Sequence, residues 1–130
     1  QLMDTVLAAR AIVGEKKERF YQAYRQGVQI AFGRDSGGFM MDQGEFVSEM
    51  LYMEDAGMTR SDIIRSATEN AAKLCGIERE TGSIEAGKSA DMVLLGENPL
   101  EDLRAYASSL RCVFMRGEYL AKTEGDGRHV

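Results

Sequence analysis

The residues of this chain best placed for chemistry gather in one short stretch, Gly33-Arg34-Asp35-Ser36-Gly37-Gly38. Asp35 is a carboxylate among glycines, which permit a tight turn and close approach of the backbone to a ligand. Such a carboxylate can hold a cation or accept a proton. Taken alone it is also an ordinary turn residue. Ser36 resembles a nucleophile, but a serine needs a base to activate it. The only histidine, His129, lies far off in the polar stretch KTEGDGRHV, so Ser36 reads as a cap for the following turn. The same glycines lack both a Walker lysine and GxGxxG spacing, which argues against a phosphate cradle.

Metal chemistry is limited by the same scarcity. Zinc sites draw on about three or four His, Cys or carboxylate ligands, and one histidine cannot build a histidine-rich site. Cys75 and Cys112 are far apart without CxxC spacing, and read as two buried thiols in a reducing cytosol. Asp42, Glu45, Glu49, Glu54 and Asp55 lack calcium-loop spacing and read as a solvated helix face. Met40, Met41, Met50, Met53 and Met58 read as core filler. A net charge of -5 without a basic cluster gives no footprint for nucleic acid. No apolar run nears the roughly 18–20 residues of a membrane span. QLMDTVLAAR has neither the pattern of a secretory signal nor an initiator methionine, so the expectation is a cytoplasmic protein whose sequence begins inside a longer chain.

Stepping outward from Asp35, helical spacing predicts a helix over Asp4 to Gln26, open to interruption at Gly14, with Phe20, Tyr21 and Tyr24 as its apolar stripe. Gly27 fits a left-handed helix end. Val28 to Phe32 (VQIAF) is a short β-branched run, the pattern of a buried parallel strand. Asp35 would then sit at a strand's C-terminal end, where parallel α/β folds carry functional groups. A second helix is predicted over Glu45 to Asp55, with Phe46, Met50 and Met53 or Leu51 inward and Gly57 closing it. Thr59 and Asp62 form a capping-box variant. The helix they open runs to about Leu74, burying Ile63, Ile64, Ala67, Ala71 and Leu74, and Gly76 ends it. Beyond Gly76 the pattern becomes extended, with a short strand near Ile84, a buried strand over Asp91 to Leu95, and a turn fixed by Pro99. A helical turn is expected within Leu100 to Tyr106. A hairpin follows, Arg111 to Met115 and Glu118 to Ala121, around Arg116-Gly117.

Three blocks in one order, GVQIAFGRDSGG, EDAGMTRSDIIRSATENAAKLCGI and TGSIEAGKSADMVLLGENPLEDL, together resemble the C-terminal third of the amidohydrolase superfamily. The resemblance covers roughly Gly27 to Gly117, and points to the branch of imidazolonepropionase-like and Xaa-Pro or Xaa-Arg dipeptidase enzymes. It implies an α/β fold: the last strand and helices of a (β/α)8 barrel over residues 1–76, and part of a composite β-sandwich over residues 77–130. It also implies hydrolysis of an amide or related C–N bond with one or two divalent ions, usually zinc, activating water. On that likeness Asp35 is the metal-ligating and catalytic aspartate after the last barrel strand. Asp91, in Gly87-Lys88-Ser89-Ala90-Asp91, reads instead as structural, bonding nearby backbone.

The match departs from the family pattern at named positions. Arg34 stands where the family has Thr or Ser, and Gln43-Gly44 where a His-Gly pair is common. The family's His-x-His pair, its bridging lysine or glutamate and two further histidines belong to earlier strands. A whole barrel needs about 250 residues, so 130 hold only part of one. The expectation is therefore a portion of an enzyme acting on a small amide, dipeptide-like or cyclic substrate, inactive without the other ligands and prone to homo-oligomerise through exposed barrel surface. The competing expectation is a non-catalytic assembly module.

Overall fold

The computed structural model describes residues 2–33 and 46–122, with side chains over 14–33 and 46–120. Helix α1 spans Leu2–Arg25 and passes through Gly14 without a break. One helical glycine costs only about 1 kcal/mol, and polar pairs support the turns beyond it: Arg19 to Glu15 at 2.5 Å and Gln22 to Glu18 at 3.0 Å. Helix α2 covers Phe46–Asp55. Helix α3, Arg60–Arg65, runs directly into a wide π-helical turn, Ser66–Asn70, and on into α4, Ala71–Cys75.

The helix ends follow from three glycines. Gly27, Gly57 and Gly76 have φ of 80°, 95° and 72°, the left-handed region that glycine enters most readily. Each lets two amides turn back onto the last carbonyls. Val28 reaches Ala23 O, Met58 reaches Met53 O and Ile77 reaches Ala72 O at 2.9–3.1 Å. The expected cap of α3 is present: Thr59 Oγ1 accepts from the Asp62 amide at 3.2 Å and donates to Asp62 Oδ2 at 2.7 Å.

Strands β1 (Met92–Leu95), β2 (Leu110–Met115) and β3 (Glu118–Lys122) form an antiparallel sheet in chain order. Met92 pairs with Phe114 and Val93 with Val113, while Met115 pairs with Glu118. Positive φ at Arg116 (53°) and Gly117 (78°) gives the β2–β3 turn the twist that tight hairpins require. Helix α5, Ala105–Ser108, lies between β1 and β2 in the chain.

Met50, Met53, Met58, Ile63 and Leu103 form the buried centre, with Phe20, Tyr24, Ile30, Phe32 and Tyr106 packed against it. Leu103 thus carries the segment after β1 into the same core as the helices. Arg60 reinforces that join: Nε pairs with Glu54 Oε1 at 2.5 Å, and Nη1 donates to the carbonyls of Leu100 and Glu101.

Several expectations are corrected. Leu74 and Ile84 are 78% and 85% exposed, and no strand forms around Ile84. Strand β1 is not buried, since Val93 and Leu94 are each more than half exposed. Cys75 is exposed and Cys112 half-buried, both as free thiols. Among the described residues no helix is long and apolar enough to cross a membrane.

Candidate functional site

The segment leading to Asp35 is held by an unexpected device. Val28–Phe32 does not enter a ladder, and among the described residues no strand lies beside it. A β-branched run becomes a strand only when a neighbour supplies donors and acceptors, so the expected last barrel strand is absent as a strand. Its backbone groups bond to a helix instead. The Phe32 amide donates to Ser66 O at 2.9 Å, and Asn70 Nδ2 donates to Ile30 O at 2.8 Å. Gln29 Nε2 completes the clamp by donating to Asn70 Oδ1 at 3.3 Å. Ile30 and Phe32 meanwhile pack against the core.

Both anchors belong to the π-helical turn. Such a turn widens the helix and loosens its regular bonding, which leaves carbonyls available to partners outside. Ser66 and Asn70 stand at its two ends. Ser66 is fully buried, and its hydroxyl donates to Ile63 O at 2.6 Å, as short polar residues in helices do. Asn70 is half-buried, with its amide turned toward the 29–30 backbone. Helical spacing alone reads SATEN as plain helix and singles out neither residue. A signal was there: Ser, Thr and Asn within five positions compete with helical backbone bonding.

Asp35, proposed from sequence as ligand and catalytic group, lies outside the described residues, as do Arg34, Ser36, Gln43, Gly44 and His129. Among the described residues no group of three His, Cys, Asp or Glu could hold a metal ion. The donors described here do not fit a metal site by themselves. Asp35 could offer one ligand, and the remainder would have to come from outside these residues.

Asp91 has the expected structural role, but through partners distant in sequence rather than local backbone. The Arg116 amide donates to Oδ1 at 2.8 Å and the Thr81 hydroxyl to Oδ2 at 3.0 Å. Those bonds, the Arg116 amide first, hold its carboxyl below the ordinary value. The carboxylate ties the approach to β1 onto the β2–β3 turn, where the Gly117 amide also donates to Ala90 O. A shallow cavity of about 320 Å³ lies nearby, lined by residues including Ser83, Lys88 and Met92. Lys88 Nζ is already engaged by Ser83 Oγ and Glu85.

Comparison with known proteins bears on what this frame serves. The model of the amidohydrolase family matches residues 3–120. An ochratoxinase of Aspergillus niger is 33% identical over 99 residues, covering 75% of this chain and 20% of that protein. A crystal structure of a Xaa-Pro dipeptidase with methionine in its active site is 38% identical, with a TM-score of 0.74 over 80% of this chain and 25% of that one. The crystal structure of the A. niger ochratoxinase superposes with a TM-score of 0.76 at 28% identity, covering 97% and 31%. The chain spans about a fifth of the length of the first of these relatives and about a quarter of the second.

Proposed function

The chain belongs to the amidohydrolase family, and from that premise we propose that it supplies Asp35 to a metal-dependent hydrolase of an amide bond. In this reading residues 1–76 are the chain's share of a (β/α)8 barrel and residues 77–130 its share of a β-sandwich. The supporting observation is that the family match, over residues 3–120, spans the stretch in which Asp35 stands two positions from Gly33 and two from Gly37. A divalent ion, zinc by preference, would supply Lewis acidity and a more acidic water when bound. Asp35 would contribute one ligand oxygen and could take up a proton on its carboxylate. Its lone carboxylate does not hold zinc tightly, so the 130 residues alone are inactive in this reading.

The substrate favoured is a dipeptide or a compound with a similar small amide. Support comes from the 38% identity to the Xaa-Pro dipeptidase and from the amidohydrolase family as a whole. The natural gene product, purified from its own cells, tests the proposal. Zinc-dependent cleavage of a dipeptide panel is expected, falling by at least about a thousandfold in Asp35→Asn. Activity within tenfold of wild type in that variant sinks the assignment.

A further inference from the structure

The chain between β1 and β2 makes a compact loop, closed at its neck and plugged into the helices. At the neck the Gly96 amide donates to Ser109 O at 2.7 Å, and the Glu97 amide donates to Ser109 Oγ at 3.1 Å. Inside the loop Asn98 Oδ1 accepts from the Leu100 amide at 3.0 Å, and Asn98 O accepts from the Glu101 amide at 3.0 Å. A loop with its ends held together and turns of its own is of the Ω type, a class often used for function. Its inner face is apolar. Leu103 and Ala105 are 0% and 1% exposed, and the Tyr106 ring meets Phe46 of α2 edge-on at 6.1 Å.

We infer that residues 97–109 are a moving part of the fold, a plug that leaves the helices while they stay folded, and that Arg60 is the latch holding it in place. The inference is independent of Asp35. Arg60 opens α3, where the helix dipole disfavours a cation, so α3 itself gains nothing from the charge. The guanidinium serves the loop instead. Nε pairs with Glu54 Oε1 near the end of α2, and Nη1 donates to the carbonyls of Leu100 and Glu101. A planar guanidinium fixes several acceptors in set directions, whereas a lysine acts as a point charge. Burial of Leu103 has no such direction, so the latch sets where the plug sits. The neck and the Asn98 turn are made within residues 96–109 and survive release. Helix α5 does not, because its four residues are too few to stay helical in water without packing. Release therefore melts α5, uncovers Ile63 and Met50, and slackens the join between helices and sheet.

Hydrogen exchange in low, sub-denaturing urea, resolved by peptide on the whole protein, tests this. In the wild type, residues 105–109 are expected to exchange at least about tenfold faster than the slowest amides of 61–75, with almost no dependence on urea, since release exposes little surface. Arg60→Met keeps the stem and removes the fork. It should speed 105–109 by about tenfold more, the worth of hydrogen bonds from a charged donor, with the same shallow urea dependence. Glu54→Gln keeps an acceptor without its charge and should give about threefold. Arg65→Met, which breaks the exposed pair with Glu69, should leave 105–109 within about twofold of wild type. Wild-type exchange of 105–109 that matches 61–75 and rises as steeply with urea overturns the moving plug, because loop and helices then open only together. Unchanged exchange of 105–109 in folded Arg60→Met overturns the latch, as does an equal gain in Arg65→Met. Should Arg60→Met fail to fold, unchanged exchange in Glu54→Gln overturns it instead.

Discussion

The Tyr24 hydroxyl donates to Asp62 Oδ2 at 2.5 Å, joining the last turn of α1 to the first turn of α3. Thr59 donates to the same oxygen at 2.7 Å. The two hydroxyls, Tyr24 first, hold the Asp62 carboxyl below its ordinary value of 3.8. The carboxylate therefore orients the Thr59 hydroxyl that caps α3 and fastens α1 to it.

Tyr24→Phe removes the fastening and keeps the ring. At pH 7 it should cost about 1 kcal/mol of unfolding free energy, the usual worth of such a bond at a half-buried site. A carboxyl with a depressed folded pKa contributes fully above its unfolded value near 3.8, and the contribution is lost as pH falls through the folded pKa. The gap between variant and wild type should accordingly close in acid. Urea unfolding at pH 7 and again at about pH 3 checks this; a gap that persists undiminished in acid refutes the role of the ionised carboxylate.

Leu103 has no exposed surface and sits in the cluster of Ile63, Met50 and Met53. Leu103→Ala should destabilise the protein by about 2–5 kcal/mol, the range for a deleted core side chain. The loss should appear in the helices as well as the sheet, because the core is shared. Hydrogen exchange of the Ile63 and Ala72 amides tests that spread. Faster exchange confined to residues after β1 would show two independent units.

Gly57 joins conformational and steric demands at one position. Its φ is 95°, and a Cβ there would lie 2.7 Å from Cδ2 and Cε2 of the Tyr21 ring. Gly57→Ala should cost about 1–3 kcal/mol. Adding Tyr21→Ala relieves the clash and leaves the backbone strain, so the double-mutant cycle should show favourable coupling. Strict additivity would mean that the ring simply swings away.

The parts legible in the sequence are those whose physics is local. Gly27, Gly57 and Gly76 announce helix ends because a left-handed residue is needed there whatever the helix packs against. Thr59 with Asp62, and Arg116-Gly117 between alternating runs, are likewise settled within a few residues. Val28–Phe32 misled because its composition suits a strand, while a ladder is a property of two segments. Leu74, Ile84, Val93 and Leu94 misled similarly: apolarity marks a wish for burial, but the described residues supply no cover. Ser66 and Asn70 were hidden inside a good helical pattern. Of the candidate site, the sequence carries Asp35 through its resemblance, and the structure adds the anchors of the segment before it.

The uncovered sheet leads to the last prediction. Val93 and Leu94 are consecutive in β1, so they point to opposite faces, and they are 51% and 56% exposed. Tyr119 and Leu120 in β3 repeat the pattern, each 52% exposed. Three strands with apolar side chains in water on both faces are a weak unit by themselves and favour association. The 130 residues alone should therefore self-associate at micromolar concentration, read as apparent mass by light scattering. Val93→Lys and Leu94→Lys each place a charge on one face, so the variant that lowers the apparent mass identifies the face that associates. Equal effects would mean that both faces take part. A monomer at every concentration in the unsubstituted chain would mean that these side chains tolerate water, and that exposure here carries no drive toward a partner.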